Sequence, residues 1–106
     1  MGLDFTNIKD GEGAALYILH AGNTLENERL QRLADEVQKN APHQVVMLDV
    51  STADGEKVRD FYDIMPEQLP AMLVVRDDDS LAYQWHGNEI PTSGSDIAYR
   101  LRQTSE

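Results

Sequence analysis

Residues 14–50 read AALYILHAGNTLENERLQRLADEVQKNAPHQVVMLDV, and this stretch decides the fold class. Its two ends, residues 14–20 and 44–50, are short apolar runs, which are typical of strands buried on both faces. Between them, apolar residues recur at helical spacing and Pro42 follows, which predicts a helix over residues 24–40 that Thr24 caps. A strand, a helix and a second strand make one right-handed parallel unit, so the sequence predicts the α/β class.

The rest of the chain adds a second helix, two strands and a third helix. Pro66 and Pro70 keep the backbone extended or turning between the second helix and the third strand. The predicted elements are a helix at 54–62, strands at 71–76 and 81–86 joined by a hairpin turn at 77–80, and a final helix that Ser93 or Ser95 caps. The fourth strand should alternate between buried and exposed residues. We therefore predict the order β-α-β-α-β-β-α in a single domain, residues 1–106, with a polar lead-in at 1–13, where 5–8 can form a short strand or turn, and a frayed tail at 104–106.

The composition excludes several classes of protein. The 106 residues include 19 acidic and 9 basic side chains, for a net charge of −10, and no cysteine. A chain without cysteine has no disulfide, thiolate nucleophile, dithiol redox couple or Cys-ligated metal. A content of 41% hydrophobic residues predicts one globular domain with a modest core.

Charge and hydropathy bear on location and partners. No apolar run approaches the roughly 18–20 residues that span a bilayer, and residues 1–13 are polar and acidic, unlike a signal peptide. The negative charge repels phosphate backbones and anionic lipids, and the densest basic cluster is only Arg100 with Arg102. We expect a soluble, cytoplasmic protein that binds neither nucleic acid nor membranes.

Two stretches after the second predicted helix carry a family resemblance. Residues 61–64 read FYDI, and residues 69–75 read LPAMLVV; an acidic hairpin tip and the single Gly87 follow. Together they resemble the thioredoxin-like superfamily, over about residues 14–103. In that family an apolar residue and a cis-proline lead into a strand, so the resemblance makes Pro70 the candidate cis-proline. Residues 30–37 resemble the back half of the family's first core helix, and Asp49 the acidic residue that ends its second core strand.

The resemblance implies a compact, glutaredoxin-sized fold: a four-stranded mixed sheet in the order 2-1-3-4, flanked by helices. The sequence departs from the family where the active-site cysteines belong, because residues 20–25 read HAGNTL. The loop before Pro70 is about two residues longer than is usual, and the family's extra N-terminal strand and helix do not fit into thirteen residues. The implied protein is a non-redox member of the superfamily.

Two segments are candidate binding residues. Ala21, Gly22 and Asn23 form a strand-to-helix turn whose backbone N–H groups can receive an anion or a peptide end, or simply form a capped turn. The resemblance implies that Leu69 and Pro70 present an edge to an extended peptide; the alternative is a purely architectural turn.

Other chemistry-bearing residues suggest no catalytic or metal site. His20, His43 and His86 are more than twenty residues apart, and Asp77, Asp78 and Asp79 lack the alternating spacing of a calcium loop. His20 can be a proton donor beside the loop or a hydrogen-bonded strand end. The serines lie at turns and caps, with no nucleophile elbow. Tyr83 and Trp85 share a face that either packs under the final helix or forms a strip for a partner.

These observations predict a non-catalytic protein- or peptide-binding, chaperone-like module that needs no cofactor. The alternative is a structural or regulatory domain that self-associates through the edge strand Leu81–His86. A third hypothesis, an enzyme that uses His20 on a small anion, competes with both. Binding of glutathione is disfavoured because the anionic tripeptide would meet a negative protein with few basic residues near Pro70.

Overall fold

The computed structural model describes residues 13–22, 26–40 and 44–104 of the chain. The elements are β1 (Ala15–His20), α1 (Glu26–Asn40), β2 (Gln44–Asp49), α2 (Ala53–Phe61), β3 (Ala71–Val75), β4 (Leu81–His86) and α3 (Gly94–Thr104). Two 3₁₀ turns, Pro66–Gln68 and Gly87–Glu89, precede β3 and follow β4. The predicted order β-α-β-α-β-β-α is confirmed.

One four-stranded mixed sheet organises the molecule, in the order β2-β1-β3-β4. β1 runs parallel to β2 and antiparallel to β3, and β3 runs antiparallel to β4. This order confirms the arrangement that the family resemblance implied. The parallel pair arises because α1 carries the chain back across the sheet, whereas a tight hairpin suffices for β3 and β4.

The sheet has an apolar core on each face, which explains why β1 and β3 are continuous apolar runs. Alternate residues of β1 point to opposite faces, so Leu16 and Ile18 pack beneath α1 and α3, while Tyr17 and Leu19 pack beneath α2. All four side chains are fully buried. The first core cluster also receives Leu30, Leu33, Ala34, Val37, Ile97, Ala98 and Leu101, and the second receives Val58, Ile64, Leu73 and Val75.

Side-chain caps shift the helix boundaries slightly from those predicted. Thr52 accepts a hydrogen bond from the Gly55 N–H at 3.1 Å, so α2 begins at Ala53 rather than at 54 and ends at Phe61. Ser93 precedes α3, and its Oγ accepts a bond from the Ser95 N–H at 3.3 Å. At the other end Thr104 belongs to α3 instead of fraying, because its hydroxyl donates to the Arg100 carbonyl at 2.9 Å.

The fourth strand does not alternate as expected. The register of β3 with β4 shifts between Val74 and Val75. Beyond the shift the pairing is regular, and Tyr83 and Gln84 are both exposed on this edge strand. Trp85 packs against the first core cluster, which includes residues of α3. This agrees with the alternative in which this face packs under the final helix. Tyr83 lies edge-on to Trp85, with ring centroids 4.9 Å apart, and remains 39% exposed.

Some predictions fall on parts of the chain outside the described residues. They are the lead-in at 1–12 with its strand or turn at 5–8, the Thr24 cap, and the last two residues of the tail. Within the described ranges, none of the helices is both long enough and apolar enough to cross a membrane.

Candidate functional site

A groove opens at the end of the sheet where β1 ends and β3 begins. It encloses about 300 Å³ between the N-terminal part of α1 and the Pro66–Gln68 turn. The described residues that line it are His20, Ala21, Asn27, Leu30, Pro66, Leu69 and Pro70. Five of these seven are apolar, so the groove favours an apolar side chain over a highly charged group.

The Leu69–Pro70 segment forms one wall of the groove. The peptide bond between these residues is cis, as the resemblance implied for Pro70. The Pro70 carbonyl accepts a hydrogen bond from the Gly87 N–H at 2.8 Å, which ties this wall to the end of β4. The Leu69 N–H donates to the Pro66 carbonyl at 3.3 Å, so the preceding turn already uses it. This bond thus occupies a donor that strand addition would need.

The turn before Leu69 is held by its own hydrogen bonds. The Met65 N–H donates to the Gln68 Oε1 at 2.7 Å, and the Gln68 N–H donates back to the Met65 carbonyl at 2.9 Å. Pro66 occupies the first position of the 3₁₀ turn, where its missing N–H leaves no bond unmade. The wall formed by Pro66 and Leu69 is therefore preorganised.

The opposite wall is the turn between β1 and α1. Gly22 adopts a φ of +97°, a left-handed conformation that favours glycine. Its N–H donates to the His20 Nδ1 at 3.2 Å, and its carbonyl accepts a bond from the Asn27 side-chain amide. The Gly22 N–H is thus used inside the turn rather than offered to an anion.

His20 and Asp49 end the parallel strands β1 and β2 side by side. Because the His20 Nδ1 accepts the Gly22 N–H, its neutral form carries the proton on Nε2. The Asp49 Oδ1 accepts bonds from the Ser51 N–H at 2.8 Å and the Ser51 hydroxyl at 2.7 Å. These bonds, and to a smaller extent the charge of His20, lower the pKa of Asp49 despite an opposing effect of burial. Asp49 is therefore ionised at neutral pH.

The acidic hairpin tip forms a turn held by its own hydrogen bonds. The Asp78 Oδ1 accepts the hydroxyl of Ser80 at 2.7 Å and its N–H at 3.1 Å. These bonds lower the pKa of Asp78, the hydroxyl contributing most. Asp79 has a φ of +69° at the tip, and no group of three or more His, Asp or Glu converges anywhere in the described ranges. The His86 Nδ1 lies 3.6 Å from the Glu89 Oε1. His43 falls outside the described residues.

The groove brings together part of the predicted site. Ala21, Leu69 and Pro70 line it, Gly22 shapes its wall through hydrogen bonds, and Asn23 lies outside the described residues. Sequence reasoning missed three lining residues: Asn27, Leu30 and Pro66. Asn27 and Leu30 are three residues apart and therefore lie on the same face of α1. This spacing could have identified them from the sequence, provided that the segment with the cis-proline was assumed to face α1.

Comparison with known proteins gives a likeness in structure alone. No protein-family model and no curated protein sequence matches the chain. Oxidised thioredoxin O2 of Arabidopsis thaliana superposes with a TM-score of 0.67 at 9% identity, covering 96% of this chain and 84% of that one. Thioredoxin O1 of the same plant gives 0.65 at 12% identity, covering 96% and 86%. Oxidised thioredoxin of Plasmodium falciparum gives 0.63 at 15% identity, covering 88% and 82%.

Proposed function

We propose that this chain, which has a thioredoxin-like fold but no cysteine, is a non-catalytic module that binds an extended segment of a partner protein. The binding site is the groove between the turn at Ala21 and the wall of Pro66, Leu69 and Pro70. The observation that carries the proposal is this groove itself: a preorganised, mainly apolar cleft that persists beside a turn from which the redox cysteines are absent.

The size of the groove supports a short peptide segment as the ligand. A volume of about 300 Å³ lies at the lower end of the range for small-molecule sites. One or two apolar side chains of a peptide would fill it, and the rest of the peptide would run over the surface. Burial of such a side chain contributes roughly 1.5–3 kcal/mol, before the entropy lost on binding is subtracted.

The backbone around the groove favours recognition by side chains over a full strand ladder. Strand addition relies on alternating N–H and C=O groups of an exposed edge. Here the Leu69 N–H is engaged by the Pro66 carbonyl. The Leu69 carbonyl is left as the acceptor through which a peptide N–H would bind, so the apolar contact supplies most of the affinity.

The environments of the remaining polar groups support a binding role rather than catalysis. Ser51 and Ser80 donate to neighbouring carboxylates, and Ser93 caps α3. The His20 Nδ1 is committed to the turn, so this histidine is not poised as a base toward any of these hydroxyls. A thiol mechanism is not available to a chain without cysteine.

A peptide titration tests this function. ¹⁵N-labelled protein is titrated with libraries of eight-residue peptides that have randomised apolar centres, and amide shifts are followed. We expect shifts at Ala21, Asn27 and Leu69, with binding weakened at least fivefold in Leu69→Ala and in Pro66→Ala. Tyr99→Ala is the matched control, because Tyr99 is the most exposed large apolar residue of α3 and lies outside the groove. Binding that both groove variants leave unchanged would refute the proposed site.

The edge strand β4 supports a second candidate function, self-association. This strand ends the sheet, and its sequence LAYQWH contains no Asp, Glu, Lys or Arg. Natural edge strands usually carry such charges to prevent pairing with another chain. A regulatory domain that dimerises through Leu81–His86 would use this uncharged edge. This function requires a dimer in solution, whereas peptide binding in the groove does not.

A further inference from the structure

The charges beside the groove indicate which peptides it selects. We infer that the bound segment is cationic: a short apolar centre flanked by Lys or Arg. This inference rests on the proposed function, since it assigns a ligand chemistry to the same groove.

One acidic residue stands at each wall. Asp49 lies against the turn wall, because a Cβ placed on Gly22 would come within 3.2 Å of the Asp49 Oδ2. Its bonds to Ser51 engage Oδ1, which leaves Oδ2 on the Gly22 side. On the other wall Glu67 is exposed and sits within the 3₁₀ turn, directly after Pro66. Each carboxylate thus belongs to a residue next to the groove: Asp49 beside Gly22, which follows the lining residue Ala21, and Glu67 directly after the lining residue Pro66.

None of the described residues that line the groove is Lys or Arg. Arg76 bonds to the Leu81 carbonyl in the hairpin, and Arg100 stacks over Tyr83 with 4.3 Å between its guanidinium carbon and the ring centroid. On α1, Arg29 and Arg32 are turned away, at about 200° and 140° around the helix from Asn27.

The net charge of the whole chain favours cationic peptides in the same way as Asp49 and Glu67 do. A net charge of −10 produces a negative potential that attracts cationic segments and repels acidic ones. Each exposed ion pair strengthens binding by about two- to fivefold, an effect that added salt weakens. The apolar groove and the acidic rim together therefore select a segment with an apolar centre and positive flanks.

Three peptide libraries test the inference. They share the randomised apolar centre and carry two Lys, two Ser or two Glu residues at each end. At 20 mM salt we expect the Lys library to bind at least tenfold more tightly than the Glu library, with the Ser library between them, and the ratio to fall severalfold at 500 mM salt. Equal, groove-dependent binding of the three libraries would overturn the charge selection and leave the proposed function standing. Absence of binding by all three would overturn both.

Variants of Glu67 assign the effect to the groove. Glu67→Gln should weaken binding of the Lys library by about two- to fivefold, and Glu67→Lys should weaken it further while it strengthens binding of the Glu library. Asp96→Asn is the matched control, because Asp96 is exposed and lies far from the groove. It belongs to the first turn of α3, which packs near Glu36 of α1, and Glu36 is about 13 Å along α1 from the lining residue Asn27. A Lys preference that Glu67→Gln and Asp96→Asn reduce equally would show that net charge, and not the rim of the groove, is responsible, and would overturn the inference.

Discussion

Gly55 occupies the place where α2 comes closest to the end of β2. A Cβ at this position would stand 2.0 Å from the Asp49 carbonyl oxygen, 2.6 Å from its carbonyl carbon and 2.9 Å from the Val50 Cα. All three atoms belong to the backbone, so no side-chain rotation can relieve the contact. The glycine lets the first turn of α2 rest directly on the chain that leaves the sheet.

Gly55→Ala should therefore reduce the free energy of unfolding by about 3 kcal/mol, the upper part of the range for overpacked sites. Urea unfolding followed by circular dichroism measures the change. Glu56→Ala is the control, since Glu56 is exposed in the same helical turn and its loss should alter stability by less than about 1 kcal/mol. Equal stability of the two variants would contradict the close packing of α2 on β2.

Tyr62 links the end of α2 to the hairpin tip. Its hydroxyl donates to the Asp79 carbonyl at 2.5 Å, and its ring lies 6.4 Å from that of Tyr17. Burial raises the pKa of Tyr62, and the nearby Tyr17, Asp79 and Asp78 raise it further; burial also raises the pKa of Tyr17. Both phenols thus stay neutral in the folded protein above the usual tyrosine pKa of about 10.

Alkali should therefore destabilise the fold. Above about pH 10 the unfolded chain loses phenolic protons that the folded chain keeps, so the free energy of unfolding falls as pH rises, by at most about 1.4 kcal/mol per pH unit for each tyrosine. Stability below pH 10 retains the full contribution of both groups.

Tyr62→Phe separates this effect from the hydrogen bond. At pH 8 the variant should be less stable than the wild type by about 1 kcal/mol, because the bond to Asp79 is lost. At pH 11 the difference should disappear, since phenylalanine cannot ionise. Urea unfolding of both proteins at pH 8 and at pH 11 measures this difference in the free energy of unfolding. A difference that stays constant from pH 8 to pH 11 would show that the pKa of Tyr62 is not raised.

At the residue level, sequence reasoning found the groove residues that lie in recognisable segments. Leu69 and Pro70 belong to a strand-entry pattern and Ala21 to a strand-to-helix turn. Asn27 and Pro66 were missed because their role depends on two walls that meet only after the sheet has formed. The hydrogen bond from the Leu69 N–H to the Pro66 carbonyl could not be predicted either, since it depends on the path of the 3₁₀ turn before β3.

At the level of elements, Gly94 determines how closely α3 approaches α1. A Cβ there would lie 2.3 Å from the Glu36 Cβ and 3.2 Å from the Glu36 carbonyl carbon. The Gly94 N–H also donates to the Glu36 carboxylate at 3.0 Å. One residue of α1 thus supplies both the contact surface and a cap for the first turn of α3.

Gly94→Ala should separate the two helices and reduce the free energy of unfolding by about 1–3 kcal/mol. Asp96→Ala, an exposed change in the same turn of α3, should alter it by less than about 1 kcal/mol. Urea unfolding of both variants provides the measurement. If Gly94→Ala proves as stable as the wild type, α3 does not pack on Glu36 in the way described.

The elements themselves were largely predictable, because the apolar pattern, the length and the flanking residues of β1, β3 and α1 together favour one secondary structure. The short apolar runs of β1 and β3 fit strands buried on two faces, and α1 has both helical spacing and a terminating proline. The register shift between β3 and β4, at Val74 and Val75, was not predictable. Such a shift depends on how two strands pair and leaves no periodic trace in either of them.

For the whole molecule, charge and edge pairing act against each other. The outer edge of β4 carries no charged side chain that would oppose pairing with a second chain. A net charge of −10 on each copy opposes association instead, over a Debye length of about 30 Å at 10 mM salt but only about 8 Å at 150 mM. The register shift near the start of β4 adds a local irregularity that disfavours pairing.

We expect the charge and the irregular edge to keep the protein monomeric, which is the state that the self-associating alternative excludes. Sedimentation velocity from 10 to 500 µM protein, at 10 and 150 mM salt, should give the mass of one chain throughout. A dimer that appears at 150 mM salt, strengthens with concentration and is abolished by Gln84→Lys would instead favour the self-associating domain, because Gln84 is exposed on β4 and a lysine there places like charges across a paired edge. Asp96→Lys, which changes the net charge in the same direction away from this edge, would leave such a dimer intact.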